Sequence, residues 1–318
     1  MRPIVNWKFS FNRAAAIAGL TLVEALRQPF LLLLTVSIVL LIALLPALLM
    51  HTMGDAQSPV QDSALALHFV GGLLLAGYTA SATLGREIRR GTLANVFAKP
   101  VNRELYFLAK FAGIALVLAL FSIATGIATW LSAQSAREPY TVDWVTGGWV
   151  VAAPVLACGA AGLLNYFAHR TFVATAFVLL VVLLVAAAAG AGFRPGFPAR
   201  LIPASLLVSL ATLVLAAIAL GLISRFDLVP TLAICTVIFL AGLMTDYLLG
   251  RSARTNAVAA LGYNLLPNWQ HFWTADALAG EGTIPWTYVR QVAGYAMFYL
   301  MGVLSLGMLA FRNVETKA

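Results

Sequence analysis

The sequence predicts an all-α fold, a polytopic membrane helix bundle with about eight transmembrane helices and cytoplasmic N- and C-termini. Three observations predict it. Of 318 residues, 61% are hydrophobic and only 10% charged, with a mean hydropathy of +0.91, whereas a soluble domain carries roughly a quarter charged residues. Eight stretches, near 30–50, 65–84, 107–131, 149–168, 171–192, 203–223, 228–249 and 289–311, are apolar over the roughly 20 residues a helix needs to cross a bilayer. With the N-terminus inside, 14 of the 20 Lys and Arg fall on the cytoplasmic side and 6 on the outer side, the bias that sets topology. The net charge of +8 belongs to these membrane flanks and is no nucleic-acid signature.

Each run should be helical, because backbone N–H and C=O groups in hydrocarbon must be paired within the segment. Residues 6–28 differ from the spans. Ile17, Leu20, Val23 and Leu26 recur at helical spacing with Arg13, Glu24 and Arg27 between them. That is the pattern of an amphipathic helix along the inner membrane surface, the alternative being an extension of the first span. In the second span, Gly72, Ala76 and Ala80 share one face. Such small residues permit close helix approach, within the subunit or at a homodimer seam, of which the first is favoured.

Further along, His169 and Arg170 alone should separate the fourth and fifth spans, and Ser224 to Asp227 the sixth and seventh. Pro230 then falls at a helix start, where its missing N–H does little harm. The outer segment 250–288 holds Trp269, Phe272, Trp273, Trp286 and Tyr288, an interfacial composition. Short half-helices on or dipping into the outer leaflet suit it. Cys158 and Cys235 lie in apolar runs and read as buried, inert thiols. His51, Asp55, Asp62, His68, His271 and Asp276 are expected toward the outer side, with no metal-ligand spacing among them. No charged residue sits at a span centre, which argues against an ion-coupled carrier.

The most charged stretch, 85–104, lies between the second and third spans on the cytoplasmic side. Thr92 is placed to cap a short helix in which Leu93, Val96 and Phe97 share a face. Pro100 stops that helix, and Asn102 can cap the next, with Glu104 in its first turn. A short capped helix with an apolar face and charged ends is built to dock on another protein. The plainer reading makes Arg86, Arg89 and Arg90 topology determinants only.

Taken together, the run Gly85-Arg86-Glu87, Arg90-Gly91-Thr92-Leu93, Lys99-Pro100-Val101 and Asn102-Arg103 leading to Lys110-Phe111 resembles the coupling region of type-2 ABC exporter permeases. Leu22 to Pro29 is similar to that family's N-terminal connecting helix, and Leu265 to Trp269, Asp276 to Leu278 and Phe311 to Glu315 to its C-terminal end. The resemblance covers about the first 130 and last 60 residues, and eight spans exceed the six common in the family.

The resemblance implies a cytoplasmic connecting helix over 1–29 and a permease domain over 30–318. It implies a bacterial inner-membrane protein that works as a homodimer, or as a heterodimer with a related permease, in contact with membrane lipid. It also implies a separate ATPase chain that binds ATP and Mg. No G-x-x-x-x-G-K-[ST] phosphate loop occurs in this chain, which is expected to hold no cofactor and to catalyse nothing. Arg86, Glu87, Arg90, Gly91, Thr92, Leu93, Val96, Phe97, Pro100 and Arg103 are the expected ATPase contacts. Glu87 and Arg90 would supply charge, and Leu93, Val96 and Phe97 the docked apolar face. A scaffold subunit of a larger membrane complex is the alternative, and a membrane-embedded enzyme a weaker third.

Overall fold

In a computed structural model the chain is described over residues 7–49, 56–98, 102–138, 140–192, 199–250, 252, 255–278 and 282–312. Helix α1 (Trp7–Leu26) leads into α2 (Pro29–Leu49), whose first position is a proline, where the lost N–H donor is harmless. Helix α3 (Gln57–Ala80) continues through a π-helical turn, Ser81–Gly85, into α4 (Arg86–Arg89). The short α5 (Leu93–Phe97) then precedes the long α6 (Arg103–Ser135). Helices α7 (Trp144–Ala168), α8 (Phe172–Gly192), α9 (Leu201–Ile223) and α10 (Leu228–Leu243) follow. A second π turn (Asp246–Gly250), α11 (Ala257–Leu265), two 3-10 turns and α12 (Trp286–Arg312) complete the chain.

Among the described residues seven helical stretches are long and apolar enough to span a membrane. The eighth expected span is shorter than its sequence suggested. Helix α10 has 16 residues, about 24 Å of rise against a hydrocarbon core of about 30 Å. Its hydropathy runs on to Gly250, but the backbone leaves the α-helix at Met244.

The physical reason lies in the segment after α11. Trp269 is fully buried and packs edge-on against Phe69 of α3, with ring centroids 5.9 Å apart. Its indole donates to the Ile238 carbonyl, and the Gln270 amide donates to the Leu243 carbonyl. Two carbonyls near the end of α10, the Leu243 one in its exposed last turn, thus find partners in the incoming chain. Gly242 makes room for it, since a Cβ there would stand 2.3 Å from the Pro267 carbonyl oxygen. The segment around Trp269 thus packs against α3 and α10 and takes the space that the last turns of a longer α10 would fill.

The ends of the helices sort into two sets. At one end Arg86 meets Glu24, Arg89 meets Asp227, Arg225 donates to the Ala310 carbonyl and Arg103 to the Arg312 carbonyl. At the other, Gln57 donates to the Ala133 carbonyl and Arg200 to the Gln57 side chain. The start of α10 lies with the first set and Trp286, opening α12, with the second. Short α10, with the segment that follows it, therefore leads the chain from the first end toward the second, beside the seven longer stretches among the described residues.

Helices α3 and α9 form the centre, each 67% buried over its most apolar stretch, while α12 is 17% buried. The small-residue face of α3 packs inside the subunit, as favoured: a Cβ on Gly72 would meet Thr212 of α9 at 2.2 Å. His68 corrects an expectation. It is buried between α3 and α6, with Nε2 3.0 Å from Ser122 Oγ, and does not lie at the outer surface.

Helix α1 also differs in detail. Its buried residues are Ala18, Thr21 and Ala25, against which α6 comes close at Gly113, while Leu20 and Val23 point outward. Small side chains win the inward face because they allow the two backbones to approach.

Candidate functional site: a charged foot at the basic end

Helices α3–α4 and α6 each run 33 residues, about 50 Å, well beyond the hydrocarbon thickness. Their extra turns meet at the basic end and carry the segment singled out in the sequence.

Helix α4 ends in a Schellman turn. Gly91 has φ 68°, its N–H reaches the Ile88 carbonyl, and the Thr92 N–H reaches the Glu87 carbonyl, both at 3.2 Å. A left-handed residue is needed there, which explains the glycine. Thr92 accordingly acts differently from the expected cap. Its backbone is helical, its hydroxyl goes to the Glu87 carbonyl at 3.3 Å, and no side-chain cap bond forms on α5. Asn102 has the extended backbone of a cap residue, again without a side-chain bond, and Glu104 stands in the first turn of α6 as expected.

Glu87 is not a free surface charge. Lys110 Nζ lies 2.8 Å from its carboxylate, and the Tyr106 hydroxyl donates to it as well. The same ammonium lies 3.9 Å from Glu24, which pairs with Arg86 at 3.6 Å. Arg86 also donates to Gln28. Two cations and two carboxylates thus balance inside one cluster joining α1, α4 and α6. The Lys110 side chain is only 4% exposed, so it depends on these partners for its charge.

Leu93, Val96 and Phe97 also need correction as a docking face. Leu93 is buried against the bundle, with Val96 and Phe97 packed beside it. The Phe97 ring meets Tyr106 edge-on at 5.6 Å and Phe311 at 6.3 Å, and the Arg103 guanidinium sits 5.1 Å from its centre. The apolar face holds α5 to α6 and α12, because the bundle itself supplies the groove. The opposite face, Thr92, Asn95 and Ala98, is exposed together with Arg90. Arg90 has no ion-pair partner among the described residues. Arg89 reaches Asp227 at the start of α10 and the Ser81 carbonyl in the π turn. Pro100 lies outside the described residues.

Sequence reasoning left four members out of the expected contacts: Tyr106, Asp227, Phe311 and Lys110, the last named only as the end of the run that carries the resemblance. For two a signal existed, since Arg103, Tyr106 and Lys110 recur at i, i+3 and i+7 on one helix face, and a lysine inside an apolar helix demands a counter-charge.

A second polar cluster sits at the opposite end, where Tyr263 donates to Asp246 at 2.7 Å and Asn268 donates to the same carboxylate at 3.0 Å. The hydrogen bond to Asp246, followed by partial burial, raises the Tyr263 hydroxyl above its ordinary pKa. Among the described residues no group of three or more His, Cys, Asp or Glu could hold a metal ion.

A polytopic all-α membrane protein with a braced, charged helical foot at its basic end is the class these features define. Residues 26–169, which run from the end of α1 to the turn after α7, match the sequence model of the family described as ABC-2 family transporter protein. Over those residues, somewhat under half of the chain, it is similar to that family of membrane transporter subunits. None of the curated proteins compared matches it.

Proposed function

We propose that this chain is the permease half of an ATP-driven ABC exporter in a bacterial inner membrane, coupled to a separate ATPase chain that binds ATP and Mg. Two permease copies, or this chain and a related one, would pair in the membrane. The foot formed by α4 and α5 takes the thrust of the ATPase from the cytoplasm.

One observation carries the reading. Helix α5 presents Thr92, Asn95, Ala98 and neighbouring Arg90 to solvent, while its inner face packs on α6 and α12, Glu87 is tied to α6 and Arg86 to α1. A load applied to the exposed face therefore reaches three long helices through packed side chains and ion pairs, where a loose loop would dissipate it. The contacts expected from Leu93, Phe97 and Glu87 become internal braces, and the partner-facing set narrows to Arg90, Thr92, Asn95 and Ala98.

The test is co-purification with a candidate ABC ATPase chain co-expressed with this one. Arg90→Glu combined with Asn95→Arg should weaken capture of the ATPase and abolish permease-dependent ATP hydrolysis, with the permease still monodisperse. Undiminished capture would remove the docking assignment.

A further inference from the structure

Away from the foot, a groove of about 470 Å³ lies between α6, α8 and α9. Its lips are Ile123 and Trp130 on α6 and Ile202 and Leu206 on α9, and all but Trp130 are exposed on the outside of the bundle. Across its floor Gly126 faces Ser205, where a methyl added to the glycine would just reach ordinary contact.

Three features say what fits there. The groove is lined without a single charged residue. Two of its three serines are already engaged, Ser209 with the Ser205 carbonyl and Ser122 with His68. A polar ligand would find few partners. The lining on α6 runs from Ala119, the midpoint of that helix, to Trp130 near its far end. That is about 16 Å at the α-helical rise, close to half the roughly 30 Å hydrocarbon core, and it runs along the helix axis as lipid chains do.

We propose that the groove binds one acyl chain of a lipid in the leaflet remote from the basic end. The site needs only the membrane fold, so it stands apart from the ATPase reading.

The test uses the full chain in nanodiscs containing phosphatidylcholine with a diazirine midway along one acyl chain, followed by photolysis and peptide mapping. Labels should concentrate on 119–130 and 201–209 and saturate near one lipid per chain. Labelling of the lipid-exposed face of α12, at Phe298 and Met301, should instead rise in proportion to the photolipid. Ala119→Phe and Ser205→Leu each fill the groove and should reduce its labelling several-fold while leaving α12 unchanged. Gly126→Ala, whose new methyl meets only ordinary contact, should label as the parent does. If one filling variant fails to fold, the other and the saturation curve still decide. Labelling of the groove no different from that of α12, or unaffected by filling it, overturns the proposal. So does a crosslink through these peptides to a second copy of the chain.

Discussion

Replacing Lys110 by Met removes the cation that Glu87 holds at 2.8 Å and Glu24 at 3.9 Å, at a site where the lysine side chain is 4% exposed. At an effective dielectric of about 20 these separations correspond to gross attractions of about 6 and about 4 kcal/mol. Desolvation of the ammonium cancels much of this, so the net worth of the pair is far smaller. Deleting one partner of a buried pair costs about 3–5 kcal/mol, because the other is left uncompensated. Glu87 and Glu24 remain partly exposed, and Arg86 stays beside Glu24, which places Lys110→Met near about 3 kcal/mol, the lower end of that range. Glu87→Gln in the same chain should recover most of the loss, because an amide can stay by Tyr106 uncharged. Equilibrium unfolding of the two single variants and the double variant in mixed micelles measures this, with an expected coupling of about 2 kcal/mol. A coupling indistinguishable from zero would refute the view that these charges brace the foot.

The close approaches allow sharper comparisons. Gly72→Ala forces a methyl to 2.2 Å from Thr212 and should cost about 1–3 kcal/mol, whereas Gly19→Ala, with nothing within 4 Å, should be neutral or slightly stabilising by thermal unfolding. Gly91→Val puts a branched residue at φ 68° and should cost about 1–2 kcal/mol, with Gly91→Asn milder. Trp269→Ala should cost about 3–5 kcal/mol and expose the amides around Leu243 to hydrogen exchange, since the indole is fully buried and bonds to the Ile238 carbonyl. Gln61, fully buried with neither amide atom bonded among the described residues, should tolerate Leu with a raised unfolding temperature.

The spans show how far hydropathy reaches. Second and third spans expected at 65–84 and 107–131 prove to be helices of 33 residues, because their polar ends are paired with neighbours. Gln57 bonds to Ala133, and Lys110 to Glu87, so neither segment needs to stop where its apolar run stops. In the foot, the short helix at 93–97 and its apolar face were legible from spacing, whereas the left-handed turn at Gly91 that closes α4 was not. The direction in which that face points was not. An apolar stripe on a short helix says only that something will cover it, and here Tyr106 and Phe311 do so from within the chain.

What the sequence determined alone is the solvent, the helical character of the long apolar runs and the end at which basic residues gather, because each depends on composition summed over about 20 neighbouring residues. Only tertiary structure decided that Glu24, Glu87 and Lys110 share one cluster, that α10 ends early under Trp269, and that α6 and α9 leave a groove between them. In a membrane the inward and the lipid-facing sides of a helix are both apolar, so hydropathy cannot rank them. Side-chain size and rare polar atoms choose the neighbours, and those choices act between residues far apart in the chain.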